Sequence, residues 1–206
     1  MKYLKTIIII ALILVSNSFL ASAAVNQRVT PKIFDRPLIP TGYGEAKFLY
    51  KDFYLGCFLI DTSAVYRTPE DLLFIDAARR MEFKFITEKR MSGRAFIQQL
   101  LQSMKINNDP DALRANIANL KLFKGFFRRS IKKGDILRFD YHKRFGTRVY
   151  LNKRLIGEIS DSNEFYRFIL NTWLGDRPPS AKFKRGILGQ NGDGYAIELQ
   201  KRFDAL

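Results

Sequence analysis

The sequence predicts an α+β fold in which helices pack on an antiparallel sheet. Three observations carry that expectation. Residues 80–86 alternate with period two, placing Met81, Phe83 and Phe85 on one side and Glu82 and Lys84 on the other. Phe96, Ile97, Leu100, Leu101 and Met104 recur at helical spacing. Three short apolar runs, 136–141, 147–151 and 155–159, are joined by the turn-like stretches 142–146 and 152–154. Strands joined that tightly run antiparallel, and the order strands, helices, strands, helices places both kinds of element in one layered domain.

Taken in order, the chain opens with a cationic head at Lys2 and Lys5, an apolar run from 7 to 15 and the small residues Ala21-Ser22-Ala23. This pattern is that of a secretory signal peptide over residues 1–23, cleaved before Ala24, and it predicts export to the periplasm. A bilayer span needs about 20 apolar residues, and this run meets Ser16, Asn17 and Ser18 first. Residues 24–40 hold Pro31, Pro37 and Pro40 and read as an extended lead-in. The domain proper is expected over 41–189, with 190–206 as a C-terminal tail.

Residues 47–59 are rich in Phe, Tyr and Leu and predict one or two strands. Cys57 within them is expected as a small buried hydrophobe. Ser92 is a candidate N-cap for the helix of Phe96 to Met104, and Asp109-Pro110 opens a second helix with Leu113, Ile117 and Leu120 as its apolar stripe. After the three late strands, Asp161 and Glu164 suit a cap for a helix whose Phe165, Phe168, Ile169 and Thr172 share a face. Gly175 is expected to end that helix in the left-handed conformation. Pro178-Pro179-Ser180 then introduces a short helix that Gly189 stops.

Composition excludes much chemistry. With 47% apolar residues the chain has the means to build a core. One Cys and one His in 206 residues rule out an internal disulfide, a Cys/His zinc cluster and a two-His metal site. A nucleophilic triad is hardly easier to build, since His142 lies in the basic turn 142–146. No cofactor and no metal are expected.

The blocks Gly134-Asp135-Ile136-Leu137-Arg138-Phe139, Gly146-Thr147 with Asn152, Trp173-Leu174-Gly175-Asp176-Arg177-Pro178 and Lys184-Arg185-Gly186-Ile187-Leu188-Gly189 resemble the exported bacterial branch of the chalcone isomerase-like family. Gly42-Tyr43-Gly44 and residues 51–59 look like that family's first strand pair. The resemblance, which runs from about Pro40 to Gly189, implies a curved antiparallel sheet carrying a layer of helices, with a largely apolar cleft between them. The family includes true isomerases, fatty-acid-binding relatives and members without known activity.

Ring closure of a chalcone phenolate asks the protein for a cation to hold the phenolate and polar groups for the developing enolate. The resemblance implies an arginine just after the glycine turn and a helix-borne tyrosine for these roles. Here Glu45 and Ala46 follow the turn, the nearest cation is Lys47, and the tyrosine region reads Ile106-Asn107-Asn108-Asp109. A carboxylate at Glu45 is expected to repel an anionic ligand. Thr172 matches the family's cleft-lining threonine, and Phe53 stands where the enzymes place a second cleft hydroxyl.

The candidate ligand-binding residues are therefore Lys47, Phe53 and Thr172, and the family motif contributes Trp173, Gly175, Asp176 and Pro178. On spacing alone Thr172 also suits a buried stripe, its hydroxyl bonded back to the preceding turn. Trp173 reads as a packing anchor, Gly175 and Pro178 as shaping the chain, and Asp176 as a local cap or pair. No residue is assigned a catalytic role.

Lys121, Lys124, Arg128, Arg129, Lys132 and Lys133 form the other constellation, interleaved with Phe123, Phe126 and Phe127 and free of acids. It suits weak contact with an anionic membrane surface, or a solvated basic face with its phenylalanines turned inward. Nucleic acid is not an expected partner. Three classes stay open: a binder of a small apolar or amphipathic molecule, an intramolecular lyase with Lys47 in place of the arginine, and a structural or interaction protein whose cleft is filled by its own side chains. The leader gives the first testable expectation. Intact mass of the protein recovered from the cell envelope should correspond to a chain starting at Ala24, and a mass that retains residues 1–23 would mean an anchor instead.

Overall fold

A computed structural model of the chain describes residues 30–160 and 163–206. The expected signal peptide, residues 24–29 of the lead-in and Asp161 lie outside the described residues. Seven strands form one antiparallel sheet in strictly sequential order: β1 (Lys32–Ile33), β2 (Arg36–Phe48), β3 (Lys51–Asp61), β4 (Arg79–Phe85), β5 (Ile136–His142), β6 (Gly146–Leu151) and β7 (Arg154–Ile159). Three helices lie between β4 and β5: α1 (Gly93–Asn107), α2 (Pro110–Ala115) and α3 (Ile117–Phe126). Three more follow β7: α4 (Asn163–Leu174), α5 (Ala181–Ile187) and α6 (Asp193–Asp204). A single 3₁₀ turn, Pro69–Leu73, sits between β3 and β4. Residues 31–206 make one compact unit.

The helix starts follow the capping chemistry read from the sequence. Ser92 accepts the Ala95 N–H at 3.1 Å. Asp109 accepts the N–H groups of Asp111 and Ala112 at 2.9 and 2.8 Å, with Pro110 in the first turn. Ser180 accepts the Phe183 N–H at 3.1 Å.

The structure corrects three expectations and adds to a fourth. The extended lead-in is already strand-paired before Pro40, because β2 begins at Arg36. Its prolines are tolerated where a strand can spare an N–H: Pro37 faces the two-residue β1, and Pro40 sits at a register shift. Gly42 to Gly44 form no turn and lie inside β2. The helix from Pro110 breaks at Asn116, whose φ of −100° and ψ of 20° separate α2 from α3, and Ile117 turns to solvent instead of joining the stripe. Gly175 does not adopt a left-handed φ. It is glycine for lack of space, since a Cβ there would lie 2.5 Å from the Asn171 carbonyl oxygen and 2.8 Å from Asn107 Oδ1.

Both faces of the sheet are covered. Tyr54, Phe58 and Ile60 of β3 join Met81, Phe83, Phe85, Leu137 and Phe139 in the main core under α1, α4 and α5. Leu55, Cys57 and Leu59 point the other way and meet Leu199 and Phe203 of α6. The segment 190–206, read as a tail, thus supplies an amphipathic helix that seals the outer face. Cys57 is 1% exposed, and burial pushes its thiol well up.

Charges are also built in. On the outer face Arg80 donates to both Asp140 oxygens at 2.7 Å, a bidentate pair across β4 and β5. On the inner face Arg79 is fully buried, donates to the carbonyls of Leu72 and Leu73 and to Asn163 Oδ1, and lies over the rings of Tyr141 and Tyr166.

The β2–β3 hairpin turns through Leu49 and Tyr50, with φ of 49° and 64°. Two-residue turns of this hand favour Asn-Gly, and a non-glycine residue held at positive φ costs about 1–2 kcal/mol.

Close approach of α5 to the sheet rests on glycine. A Cβ at Gly42 would lie 2.2 Å from the Gly186 carbonyl oxygen and 2.5 Å from the Gly189 nitrogen. Gly125, within α3, has open space around it. Gly42→Ala is therefore expected to lower unfolding free energy by about 1–3 kcal/mol, and Gly125→Ala to raise it by about 0.5–1 kcal/mol. Urea unfolding curves of the two variants check both signs.

Candidate functional site

A cavity of about 140 Å³ lies between the inner face of the sheet and helices α1, α4 and α5. Its walls are aromatic: Phe53 and Tyr54 from the start of β3, Phe83 and Phe85 from β4, Phe96 from α1 and Phe183 from α5. The rings meet mostly edge to face, with Tyr54 and Phe83 centroids 4.9 Å apart, Tyr54 and Phe183 5.5 Å, and Phe53 and Phe85 5.6 Å. Phe53 and Tyr54 are sequence neighbours, yet both face the cavity. The register slips between the Ala46–Tyr54 and Lys47–Asp52 pairs, leaving Phe53 as the extra residue of a bulge.

Four hydroxyl-bearing residues line the cavity, Tyr54, Ser103, Thr172 and Ser180, and of these Tyr54 and Thr172 are buried. Tyr54 accepts the Trp173 indole N–H at 2.9 Å. Burial pushes its phenol up to about 12, so it keeps its proton. Thr172 is 3% exposed and lines the cavity, and its Oγ1 has no hydrogen-bond partner among the described residues. The back-bond to the preceding turn expected from spacing is not made. The carbonyl one turn back, that of Phe168, is taken instead by the Asn108 side-chain amide at 3.1 Å. Asn108 Oδ1 in turn accepts from Asn171 at 2.6 Å. Asn107 bonds both the carbonyl and the N–H of Arg177, at 3.0 and 2.7 Å. The Asn107-Asn108 pair, where a family tyrosine was sought, thus fastens α1 to α4 and to the chain beyond it.

Lys47 reaches the rim, where Lys47, Phe48, Gln99 and Pro179 are exposed. It is the one charged residue among those that line the cavity, and it pairs with Asp52 at 3.5 Å. Glu45 corrects an expectation: its carboxylate does not face the cavity. It lies on the α6 side of the sheet, bonded to Arg202 at 2.6 Å and to Tyr195 at 3.5 Å, so it repels nothing bound inside.

The family-motif residues divide. Trp173 lines the cavity and packs on Phe83 with centroids 4.6 Å apart, combining anchor and wall. The Gly175 carbonyl accepts from Lys184 at 3.0 Å, tying α4 to α5. Pro178 is half-buried. Asp176 is exposed and makes neither the cap nor the pair expected of it among the described residues.

The basic constellation does not line this cavity. Lys121 and Lys124 are on α3, whereas Arg128, Arg129, Lys132 and Lys133 belong to the connection into β5; all six are exposed. Phe123 and Phe127 turn into the core, while Phe126 is half-buried over Gly157. Sequence reasoning missed Tyr54, Phe83, Phe85, Phe96 and Phe183 as cavity walls. Their number and their alternation on β4 were the available signal, but nothing local separates a ring that fills a core from one that edges a void.

The family model described as chalcone isomerase-like matches residues 25–189, and the chain belongs to that family. Among solved structures the chain is similar to the fatty-acid binding protein AtFAP1 of Arabidopsis thaliana, with a TM-score of 0.57 and 16% identity over 83% of this chain and 93% of that one. No curated protein matches the sequence.

The geometry generates two expectations. Thr172→Val keeps the volume and removes a buried hydroxyl without a partner, so the variant should be more stable by about 1 kcal/mol, read as a rise in thermal midpoint. Tyr54, Tyr141 and Tyr166 are all held above the usual phenol range, burial being the main cause in each. The unfolded chain ionises at about 10, so the stability these groups contribute is complete below that pH and is lost as pH climbs toward the folded value. Ultraviolet titration should leave these three unionised above about pH 10 until the protein unfolds.

Proposed function

We propose that this protein is a non-catalytic binder of a small apolar or amphipathic molecule that carries a neutral polar group. The carrying observation is a cavity walled by aromatic rings that has in its lining the buried Thr172, whose hydroxyl has no partner among the described residues. An unsatisfied buried hydroxyl is costly, and a ligand carbonyl or hydroxyl would satisfy it. Tyr54, kept protonated, is a second hydroxyl among the cavity-lining residues. A cavity of this size compares with the roughly 150 Å³ that holds benzene, so an aromatic ring or a short stretch of acyl chain fits. The rest of a longer ligand would leave past Lys47, Phe48 and Pro179. Membership of a family with fatty-acid-binding relatives, and the likeness to AtFAP1, support an apolar ligand.

The lyase alternative asks for a cation inside the cleft. Lys47 stands at the rim and is paired with Asp52, which favours binding over ring closure. We place the protein in the periplasm and in the exported branch of the family, on the strength of the leader pattern in residues 1–23.

Native mass spectrometry of protein purified from its own envelope should find a retained small molecule. Thermal shift across neutral lipids, fatty acids and flavonoids should give binding below millimolar that weakens about fivefold in Thr172→Val. Rates with 2′-hydroxychalcones should equal the buffer rate. Turnover that disappears in Lys47→Met would establish the lyase instead, and a protein that carries and binds nothing would establish the structural class.

A further inference from the structure

Sequential strand order brings four connections to one end of the sheet: the Leu49-Tyr50 turn, the 86–91 segment, the 127–135 segment and the Asn152-Lys153 turn. Backbone hydrogen bonds hold them side by side. Ile86 and Thr87 donate to the Phe53 carbonyl, Gly134 to that of Phe85 and Asn152 to that of Ile136, while Met91 and Ile131 form a bridge.

Charge at this end is one-sided. Lys47 and Lys51 flank the hairpin tip, Lys89 and Arg90 stand on the next connection, and Lys153 and Arg154 on the last, all of them exposed. Between these lie Arg128, Arg129, Lys132 and Lys133, so the structure joins four of the six cations of the sequence constellation to a wider patch and leaves Lys121 and Lys124 on α3. The carboxylates present are already engaged: Asp52 with Lys47, Glu88 with Lys133, and the buried Asp135 with the Lys132 N–H and the Asn152 amide. The other cations of the patch have no carboxylate partner among the described residues.

At the same end Phe48, Leu49 and Tyr50 are 44%, 76% and 98% exposed. A hairpin that only had to turn would be served by Asn-Gly. Here the turn holds two large side chains in the left-handed region and in open water, which points to something that covers them. We propose that this end of the sheet docks on an anionic lipid surface, with Phe48, Leu49 and Tyr50 entering the interfacial layer and the surrounding cations facing the headgroups. Cations around an apolar and tyrosyl tip match the two layers of such a surface, and each cation near it contributes about fivefold to binding. Single-stranded nucleic acid fits less well, since it wants flat rings for stacking and Leu49 offers none. The docking stands on the charge and the tip alone. If the cavity takes a ligand as proposed above, its rim at Lys47 and Phe48 would face the bilayer.

Vesicle sedimentation tests this with the purified protein and variants that share its N-terminus. Vesicles of phosphatidylglycerol and phosphatidylcholine should bind the protein, vesicles of phosphatidylcholine alone should bind it at least about tenfold more weakly, and raising salt from about 0.05 to about 0.5 M should release it. The double substitution Leu49→Asn, Tyr50→Gly suits the turn, so its thermal midpoint should rise while anionic-vesicle binding falls about tenfold. In Tyr50→Trp the indole emission should shift to the blue on vesicle addition. Equal binding to the two vesicle types, unchanged binding by the double variant, or tighter binding to a single-stranded oligonucleotide that the double variant does not weaken would each overturn the proposal.

Discussion

The contact on which the rest of the site depends is the seating of α5 against β2 and β3, at a distance only missing side chains allow. Gly42, Gly44 and Gly56 of the strands and Gly186 of the helix each lack the room for a Cβ. Thr41 donates to the Ile187 carbonyl at 2.6 Å and Asn191 to that of Tyr43 at 3.3 Å, so the seam is hydrogen-bonded as well as close. From this position Phe183 reaches across β3 to meet Tyr54 and Phe83 and becomes one wall of the cavity. Were α5 to stand back by the width of a methyl group, the wall would open and the cavity would become a groove.

A second set of contacts fixes the opposite wall. Asn107, Asn108 and Asn171 spend their amides on backbone groups and on each other between α1, α4 and the chain beyond α4. With Asn108 on the Phe168 carbonyl, the Thr172 hydroxyl one turn on has no partner among the described residues.

Sequence reasoning read the late strands well because β5, β6 and β7 alternate and are joined by short polar turns. It left 47–59 as one or two strands because β3 is covered on both faces and carries no alternation to read. The Tyr195, Leu199 and Phe203 spacing of α6 was visible as a helical stripe, but a reading that closed the domain at Gly189 gave it nothing to cover. Within the site, Thr172 was legible from its place before the Trp173 block. Three things were not: the bulge that turns Phe53 and Tyr54 to one side, the face on which Glu45 lies, and the competition for the Phe168 carbonyl. Each depends on residues far away in the chain.

Strictly sequential strand order has a consequence for how the chain assembles. β1 to β4 need only short-range closures, and β5 to β7 zip through two tight turns, so each half can form from local contacts. The pairing of β4 with β5 is different: it must close the long 86–135 excursion that carries α1, α2 and α3. Joining the two half-sheets is therefore the entropically expensive act of folding. It is compensated where the Phe83 and Phe139 rings, one from each half, both meet Trp173 of α4. The ring that edges the cavity in the finished protein is thus also the place where the two halves of the molecule are clasped.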